Sequence, residues 1–188
     1  MDPVILGLYS PYPQSGKSTF ADALHSQFPK AKRLSFADPM REALVPLVAE
    51  VLPGGEGEAL EWLSDHRKDT KLLPHLGVTL RYMMQTFGTE WGRKFIHPDL
   101  WVTVMAERIR KAPHGVIVDD VRMENEYAML RKRGATMIKV LRKDAPQTTQ
   151  HESNARLDNL MFDYVIDNDG DEEDLRFKAL AVRWDMVS

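Results

Sequence analysis

Apolar and polar residues alternate in short blocks along this chain of 188 residues. Apolar runs typical of buried strands recur, and the segments between them carry apolar residues at helical spacing. The run Val4–Tyr9 predicts a first strand, which a polar loop and a helix from about Ser18 to Phe28 follow. Arg33–Phe36 predicts a second strand. Asp38, with Pro39 behind it, predicts the cap of the next helix.

The same alternation continues to the end of the chain. Beyond a glycine-rich connector at Pro53–Gly57, the pattern predicts helices around residues 59–66, 79–87, 98–111 and 171–185, and a further helix that stops near Gly134. It predicts strands at residues 116–118, 136–141 and 164–166. Five short strands separated by helices are typical of an α/β fold, with one parallel sheet and helices on both faces. Ligands of such sheets bind beyond the carboxyl ends of the strands.

Composition narrows the possible functions. The chain has no cysteine, which excludes disulfides, thiolate metal sites and a cysteine nucleophile. It contains no apolar run near the length of a membrane span, and its N-terminus is acidic rather than basic. We therefore expect a cytoplasmic protein without a membrane partner. The net charge of −3 gives no reason to expect nucleic-acid binding, so any anionic ligand must be held by a local group of arginines or lysines.

A candidate phosphate loop lies between the first strand and the first helix. It consists of Ser15, Gly16, Lys17, Ser18 and Thr19, in the context that a Walker A loop requires. Backbone N–H groups of such a loop bind phosphate oxygens, Lys17 would reach the β- and γ-phosphates, and the Ser18 hydroxyl can bind Mg²⁺. Pro11 stands where the full pattern has its first glycine. The alternative is a chance Gly-Lys-Ser at a helix start.

Two acidic residues follow a buried strand, as in a Walker B element. They are Asp119 and Asp120, and either carboxylate could hold Mg²⁺ beside the phosphate loop. Alternatively, they cap the next helix. Arg122 lies two residues beyond Asp120, on the ligand side of the sheet, and would pair with a phosphate or with the acids themselves.

Candidate acceptor residues occur on two predicted helices. Arg81 and Gln85 are four residues apart and therefore share a helix face. An arginine beside an amide suits a phosphate and a base edge, although such pairs also occur as ordinary solvent-facing residues. Arg41 lies in the first turn of the Asp38 helix, directly after the second strand, where an acceptor phosphate could meet the donor.

The sequence resembles the bacteriophage-type deoxynucleoside monophosphate kinases, a branch of the NMP kinase-like P-loop proteins. The resemblance covers most of the chain and rests on six blocks that occur in the same order. The blocks are Ser15–Thr19, Ser35–Arg41, Leu80–Arg93, Asp99–Val102, Asp120–Glu126 and Val165–Gly170.

This resemblance implies a three-layer P-loop kinase of one domain, 1–188, with a helical acceptor-binding insertion at 38–94 and a lid-like segment at 142–158. It implies Mg²⁺-dependent transfer from ATP to a deoxynucleoside monophosphate, giving the diphosphate. The monophosphate side would comprise Phe36, Asp38, Arg41, Arg81, Gln85, Arg93 and Trp101. Asn168 and Gly170 would lie near the adenine of the donor. Lys17, Arg122 and Arg142 would stabilise the transferring group, with Ser18 and Asp120 organising the metal.

Other interpretations fit parts of the same pattern. The segment 142–158 could be a charged surface loop, and His151 within it is better explained as a surface or capping residue than as a base. A dephospho-coenzyme A kinase-like enzyme would share the donor site but need another acceptor pocket. A nucleotide-dependent switch would bind ATP or GTP and act through a partner. The sequence is compatible with an oligomer and predicts neither the base nor the sugar that the acceptor carries.

Overall fold

The computed structural model of the chain describes residues 3–146 and 157–187. It divides into two compact units, which we name by their content. The sheet unit comprises Met1–Ser35 and Met105–Ser188, and the helical unit comprises Phe36–Val104. One boundary falls inside the helix Leu100–Arg110, which contributes residues to both units.

The sheet unit is built on five strands, all parallel, in the spatial order β2-β3-β1-β4-β5. The strands are β1 Val4–Tyr9, β2 Lys32–Leu34, β3 Gly115–Val121, β4 Thr136–Leu141 and β5 Tyr164–Asp167. The helices of the described chain are α1 Lys17–Gln27, α2 Asp38–Ala49, α3 Gly55–Ser64, α4 Arg67–Thr70, α5 Leu80–Gln85, α6 Leu100–Arg110, α7 Glu124–Lys132 and α8 Glu172–Val187, with a π-helix at Thr86–Ile96. The α/β prediction with a five-stranded parallel sheet is confirmed.

Both faces of the sheet are covered by helices. Leu6 and Leu8 of β1 lie on the face that packs against α1 and α8, in a core that includes Phe20 and Leu175. The opposite face packs closely against α7. A Cβ atom at Gly7 would lie 3.1 Å from Cδ1 of Leu130, and 2.6 Å from Sδ of Met137 on β4. Since side chains alternate along a strand, this pattern produces three layers.

Two predicted strand ends, those of β2 and β3, were wrong by more than one residue, and strand pairing explains both. β2 ends at Leu34 because it pairs only with Val116–Val118 of β3, so Ser35 and Phe36 fall outside it. β3 extends from Gly115 to Val121 because its later residues continue to pair with β1. The two acids therefore lie within the carboxyl-terminal part of the strand rather than after it.

The helical unit has its own apolar core. Leu80 and Met84 of α5 are buried in it, as the apolar face of that predicted helix requires, together with Leu44, Val48, Leu52, Ala59, Trp62, Leu63 and Leu73. Two predictions were wrong. Asp38 is the first residue of α2 rather than its cap, a position taken by Ala37. The glycine connector is shorter than expected because α3 begins at Gly55, and the Glu58 carboxylate accepts the N–H of Gly54 at 2.9 Å.

None of the helices within residues 3–146 and 157–187 combines the length and the apolar character that a membrane crossing demands.

Candidate active site

The segment between β1 and α1 is a tight loop held by its own hydroxyl groups. The Ser15 hydroxyl donates to the carbonyl of Tyr12 at 3.0 Å and also contacts the hydroxyl of Ser10. Ser10 donates to the same carbonyl at 3.1 Å. Gln14 and Gly16 both have left-handed backbone conformations, with φ of 58° and 82°. The loop thus reverses the chain within a few residues and delivers it to the first turn of α1.

Asn168 lies directly against this loop. Its side-chain amide donates to the carbonyl of Ser15 at 2.9 Å, and its backbone N–H donates to the carbonyl of Leu141 at 2.7 Å. The side chain is buried. The resemblance placed Asn168 and Gly170 near the adenine of the donor. The structure places Asn168 against the backbone of the candidate phosphate loop. Gly170 lies two residues further on, before α8, where a Cβ atom would meet the Asp174 side chain.

Lys17 is the first residue of α1, one residue earlier than the sequence predicts for the helix. Burial lowers the pKa of its ammonium group, as does the charge of Arg122, while Asp120, Asp119 and Glu126 act in the opposite direction. The fold therefore brings Lys17 together with the acids of β3 and with Arg122, as the sequence predicts. Ser18 is exposed in the same first turn.

The two adjacent acids of β3 have different partners. The Asp119 carboxylate accepts from Nε of Arg33 at 2.5 Å, and Arg33 also pairs with Asp22. The Asp120 carboxylate accepts from the hydroxyl of Ser35 at 2.5 Å. Burial and the neighbouring charge of Asp120 raise the pKa of Asp119, and Arg33 only partly offsets them. Asp119 is thus part of an ion-pair chain that joins β3, β2 and α1 through Arg33.

The backbone after β3 is fixed by Glu126, a residue that the sequence analysis did not single out. Its carboxylate is buried and accepts the N–H groups of Arg122 at 2.8 Å and of Met123 at 3.1 Å. A glutamate three residues after a helix cap is the signal that could have found it, because it is half of a capping box. The side chain of Arg122 itself is exposed.

In the helical unit, two of the predicted acceptor arginines lie beside acids. Arg41 donates from Nη1 to Asp38 at 2.9 Å, and Arg81 donates from Nε to Asp69 at 2.6 Å. Nε of Arg41 is buried, and among the described residues it has no hydrogen-bond partner. Because a buried donor without an acceptor is costly, this nitrogen is suited to a ligand oxygen.

A third cation, Lys68, lies close enough to these two arginines for their charges to act on it, although the sequence analysis did not single it out. Its ammonium group donates to the carbonyls of Asp65 at 2.9 Å and of Ser64 at 3.3 Å. Burial lowers the pKa of Lys68, and the nearby positive charges of Arg81 and Arg41 lower it further. Three cations of the helical unit therefore act on one another, an arrangement that a bound anion would stabilise.

The other predicted acceptor residues differ in exposure. Gln85 is half-buried at the end of α5, and Arg93 donates from the π-helix to the carbonyl of Pro98 at 3.4 Å. Phe36 and Trp101 are buried, at 2% and 4% exposure, so either ring offers little surface to a ligand. The indole of Trp101 donates to the carbonyl of Gly88 at 2.8 Å, which ties α6 to the π-helix.

Arg142 follows β4 directly and is exposed. The next residue, Lys143, is tied to the carboxylate of Asp169 by its backbone N–H at 3.1 Å and by its ammonium group at 2.9 Å. Most of the predicted lid-like segment, residues 147–156 with His151 among them, lies outside the described residues.

The fold and these residues agree with the similarities that the chain shows to known proteins. Residues 65–179, more than half of the chain, match the family described as deoxynucleotide monophosphate kinase. A protein of Acanthamoeba polyphaga mimivirus, provisionally named deoxynucleotide monophosphate kinase, is 29% identical over 170 residues, which cover 82% of this chain and 83% of that protein. The deoxynucleoside-5'-monophosphate kinase of Escherichia phage T5 is 34% identical over 71 residues, 37% of this chain and 28% of that enzyme.

These comparisons place the chain among the nucleotide-dependent phosphotransferases. More particularly, it belongs to the deoxynucleotide monophosphate kinase family. The predicted family and enzyme class are thereby confirmed.

Proposed function

We propose that the protein transfers the γ-phosphoryl group of ATP, bound with Mg²⁺, to a deoxynucleoside monophosphate. An oxygen of the acceptor phosphate attacks the γ-phosphorus, the bond to the bridging oxygen breaks, and ADP and the deoxynucleoside diphosphate leave. The observation that carries the proposal is the position of Lys17. Its ammonium group is partly desolvated at the start of α1, beside two carboxylates and Arg122, where the phosphates of a nucleotide would stabilise its charge.

On the donor side, the loop Ser15–Thr19 would bind the phosphates of ATP through backbone N–H groups and Lys17. Arg122 and Arg142 would add positive charge where the transferring group develops negative charge. Both arginine side chains are exposed at the carboxyl ends of strands, so they can turn toward a ligand. No residue needs to act as a covalent nucleophile, because the acceptor supplies the attacking oxygen.

For the metal, Ser18 and Asp120 are the residues that fit. A hydroxyl and a carboxylate are hard oxygen ligands of the kind that Mg²⁺ prefers, with the remaining positions filled by phosphate oxygens and water. Asp119 is the weaker candidate because its carboxylate is held by Arg33. When bound, the ion would neutralise charge on the β- and γ-phosphates.

On the acceptor side, we propose that Arg41, Arg81 and Lys68 bind the phosphate of the monophosphate. The side chains of Arg81 and Asp69, which form an ion pair, are each about two-fifths exposed. Such pairs contribute only about 0–1 kcal/mol to the free energy of unfolding. A phosphate dianion can therefore compete with Asp69 for the guanidinium group. Gln85, one turn along α5, would meet the base, and Arg93 lies further along the same helical stretch.

The direct test is ADP release from ATP measured against a panel of acceptors, the four common deoxynucleoside monophosphates and their ribonucleotide counterparts. We expect little ADP release without an acceptor and strong stimulation by at least one deoxynucleotide. Chelation of Mg²⁺ with EDTA should abolish that stimulation, and added Mg²⁺ should restore it. Slow ATP hydrolysis that no monophosphate stimulates would contradict the proposal and support a nucleotide-dependent switch.

Substitution of Arg81 by lysine tests the acceptor phosphate. An ammonium group cannot reproduce the fork of a guanidinium, so we expect kcat/KM for the monophosphate to fall about ten- to a hundred-fold, the equivalent of one charge-assisted hydrogen bond. The KM for ATP should stay within about two-fold, a margin within the usual effect of surface changes. Arg110→Lys, which alters an exposed ion pair with Glu107, is the matched control.

Substitution of Gln85 by alanine tests the base. If its amide meets the base edge, the variant should change the order of preference among the deoxynucleotides more than it changes the KM for ATP. The measurement is kcat/KM for each monophosphate. Wild-type acceptor kinetics in both the Arg81 and the Gln85 variants would mean that these two side chains are ordinary surface residues of α5 with no role toward the acceptor.

Substitution of Lys68 by methionine tests the third cation. The change keeps an unbranched side chain of nearly the same length and removes its charge, so we expect the KM for the monophosphate to rise about ten-fold, as for one lost charge-assisted contact. Lys71→Met, three residues along and exposed, is the matched control. An unchanged monophosphate KM in a Lys68→Met protein that melts like the wild type would show that Lys68 only caps the end of α3.

A further inference from the structure

Asn168, in the loop that follows β5, binds the backbone of the phosphate loop. Asn168 follows β5, and its side chain is buried, with 6% exposure. Its two N–H groups bridge two separate parts of the sheet unit. The backbone N–H binds Leu141, the last residue of β4, and the side-chain amide binds the carbonyl of Ser15.

Gly16, the residue after Ser15, leaves room for this contact because it has no side chain. A Cβ atom at Gly16 would lie 2.0 Å from Nδ2 of Asn168, which is a severe clash. Gly16 also has φ of 82°, a left-handed conformation that favours glycine. Position 16 therefore needs glycine for two reasons, its own backbone and the room that Asn168 occupies.

The contact determines the orientation of one peptide group. The peptide between Ser15 and Gly16 is planar and trans, so its carbonyl and its N–H point in opposite directions. Because Asn168 holds the carbonyl, the N–H of Gly16 is turned away from Asn168. Lys17 is the next residue and begins α1, so the same contact also helps to position the Cα atom from which the Lys17 side chain extends.

We propose that Asn168 is a positioning residue for the donor phosphates: it holds the Ser15–Gly16 peptide so that the Gly16 N–H and Lys17 bind them. This inference rests on the proposed function, in which the loop binds the phosphates of ATP. It differs from what the family resemblance implies, a position near the adenine of the donor, because the effect of Asn168 passes through the phosphates and is the same for any base.

The test uses a ligand that has phosphates but no base. Binding of inorganic tripolyphosphate with Mg²⁺ is measured by titration calorimetry on wild type, Asn168→Leu and Asn168→Asp. Leucine matches asparagine in size but cannot donate, and aspartate would place a carboxylate against the carbonyl of Ser15. We expect binding about ten-fold weaker for Asn168→Leu and weaker still for Asn168→Asp, since a buried acceptor loses its donor.

Kinetics with two donors separate positioning from base recognition. In both variants, kcat/KM should fall by the same factor for ATP and for GTP, while the KM for the monophosphate stays unchanged. Asp169→Asn is the matched control, because Asp169 belongs to the same loop but contacts Lys143 rather than the phosphate loop. The melting temperature of each variant shows whether it is folded, and Asn168→Leu serves alone if the aspartate variant does not fold.

Each outcome supports or overturns the inference. Wild-type tripolyphosphate binding in folded Asn168 variants would overturn it and leave the proposed function intact. A loss confined to ATP, with tripolyphosphate and GTP unaffected, would also overturn it and assign Asn168 to the adenine. If wild-type protein binds no tripolyphosphate while Lys17→Ala leaves phosphoryl transfer unchanged, the donor-site assignment fails and the inference fails with it.

Discussion

Replacing Lys17 by alanine is expected to lower kcat/KM for ATP by about 10²- to 10⁴-fold. The ammonium group would make two charge-assisted contacts, with the β- and γ-phosphates, and each is worth about 1.5–3 kcal/mol. The loss should fall mainly on kcat, because negative charge develops between the β- and γ-phosphates as the bridging bond breaks, and Lys17 would stabilise that charge in the transition state. The measurement is ADP release at saturating monophosphate, with ATP varied.

The structure also predicts that this variant stays folded. Burial lowers the pKa of Lys17, so its charged form lowers the free energy of unfolding at neutral pH. That penalty disappears only as the pH rises past the pKa of an unfolded lysine. Alanine removes the penalty and has a high intrinsic helix propensity. We therefore expect a melting temperature equal to or above that of the wild type.

Lys30→Ala is the matched control for this prediction. Lys30 is exposed in the turn between α1 and β2, so the same substitution there removes a charge without approaching the phosphate loop. It should keep wild-type kinetics. Near-normal phosphoryl transfer by folded Lys17→Ala protein would refute the assignment of Ser15–Thr19 as the phosphate loop.

The order of strands and helices was predictable because it depends on local patterns. Runs such as Val4–Tyr9 are apolar throughout because both faces of a central parallel strand are covered. Strand ends were less predictable, because they depend on pairing. The pattern predicts that the second strand includes Ser35, yet β2 ends at Leu34, where its pairing with β3 ends. The π-helix Thr86–Ile96 was missed because it packs against a residue outside its own segment, which a local pattern does not show. Trp101 lies so close that a Cβ atom at Gly92 would be 2.6 Å from Nε1 of the indole.

The candidate site also has a part that local patterns predict and a part that depends on contacts between distant segments. Lys17, Asp120 and Arg122 were predictable, because a strand before or a helix after each residue places it at one edge of the sheet. The contacts that support them were not. Asn168 is 153 residues from Ser15 in sequence, and nothing in either segment specifies that the asparagine donates to that carbonyl. Lys68 was missed because it lies in a charged stretch where any residue could be solvent-facing.

Replacing Asp120 by asparagine should give the second largest effect. The substitution keeps the size of the side chain and an oxygen that can accept from Ser35, but it removes the negative charge that would attract Mg²⁺. Loss of a residue that merely supports a metal ligand costs about ten- to a hundred-fold in metal affinity, and loss of a ligand's charge should cost at least as much. We expect a large fall in kcat and a Mg²⁺ titration shifted to higher concentration by about that factor.

Asp119→Asn provides the sharpest comparison, because it makes the same change one residue away on the same strand. Asp119 is held by Arg33 rather than by Ser35, so its substitution should leave the Mg²⁺ titration where it is in the wild type. It should also cost little stability at neutral pH. Burial and the charge of Asp120 raise the pKa of Asp119, so folding disfavours the ionised form of this carboxyl relative to the unfolded chain. If Asp119→Asn shifts the Mg²⁺ titration and Asp120→Asn does not, the metal role belongs to Asp119 and Asp120 serves only to hold Ser35.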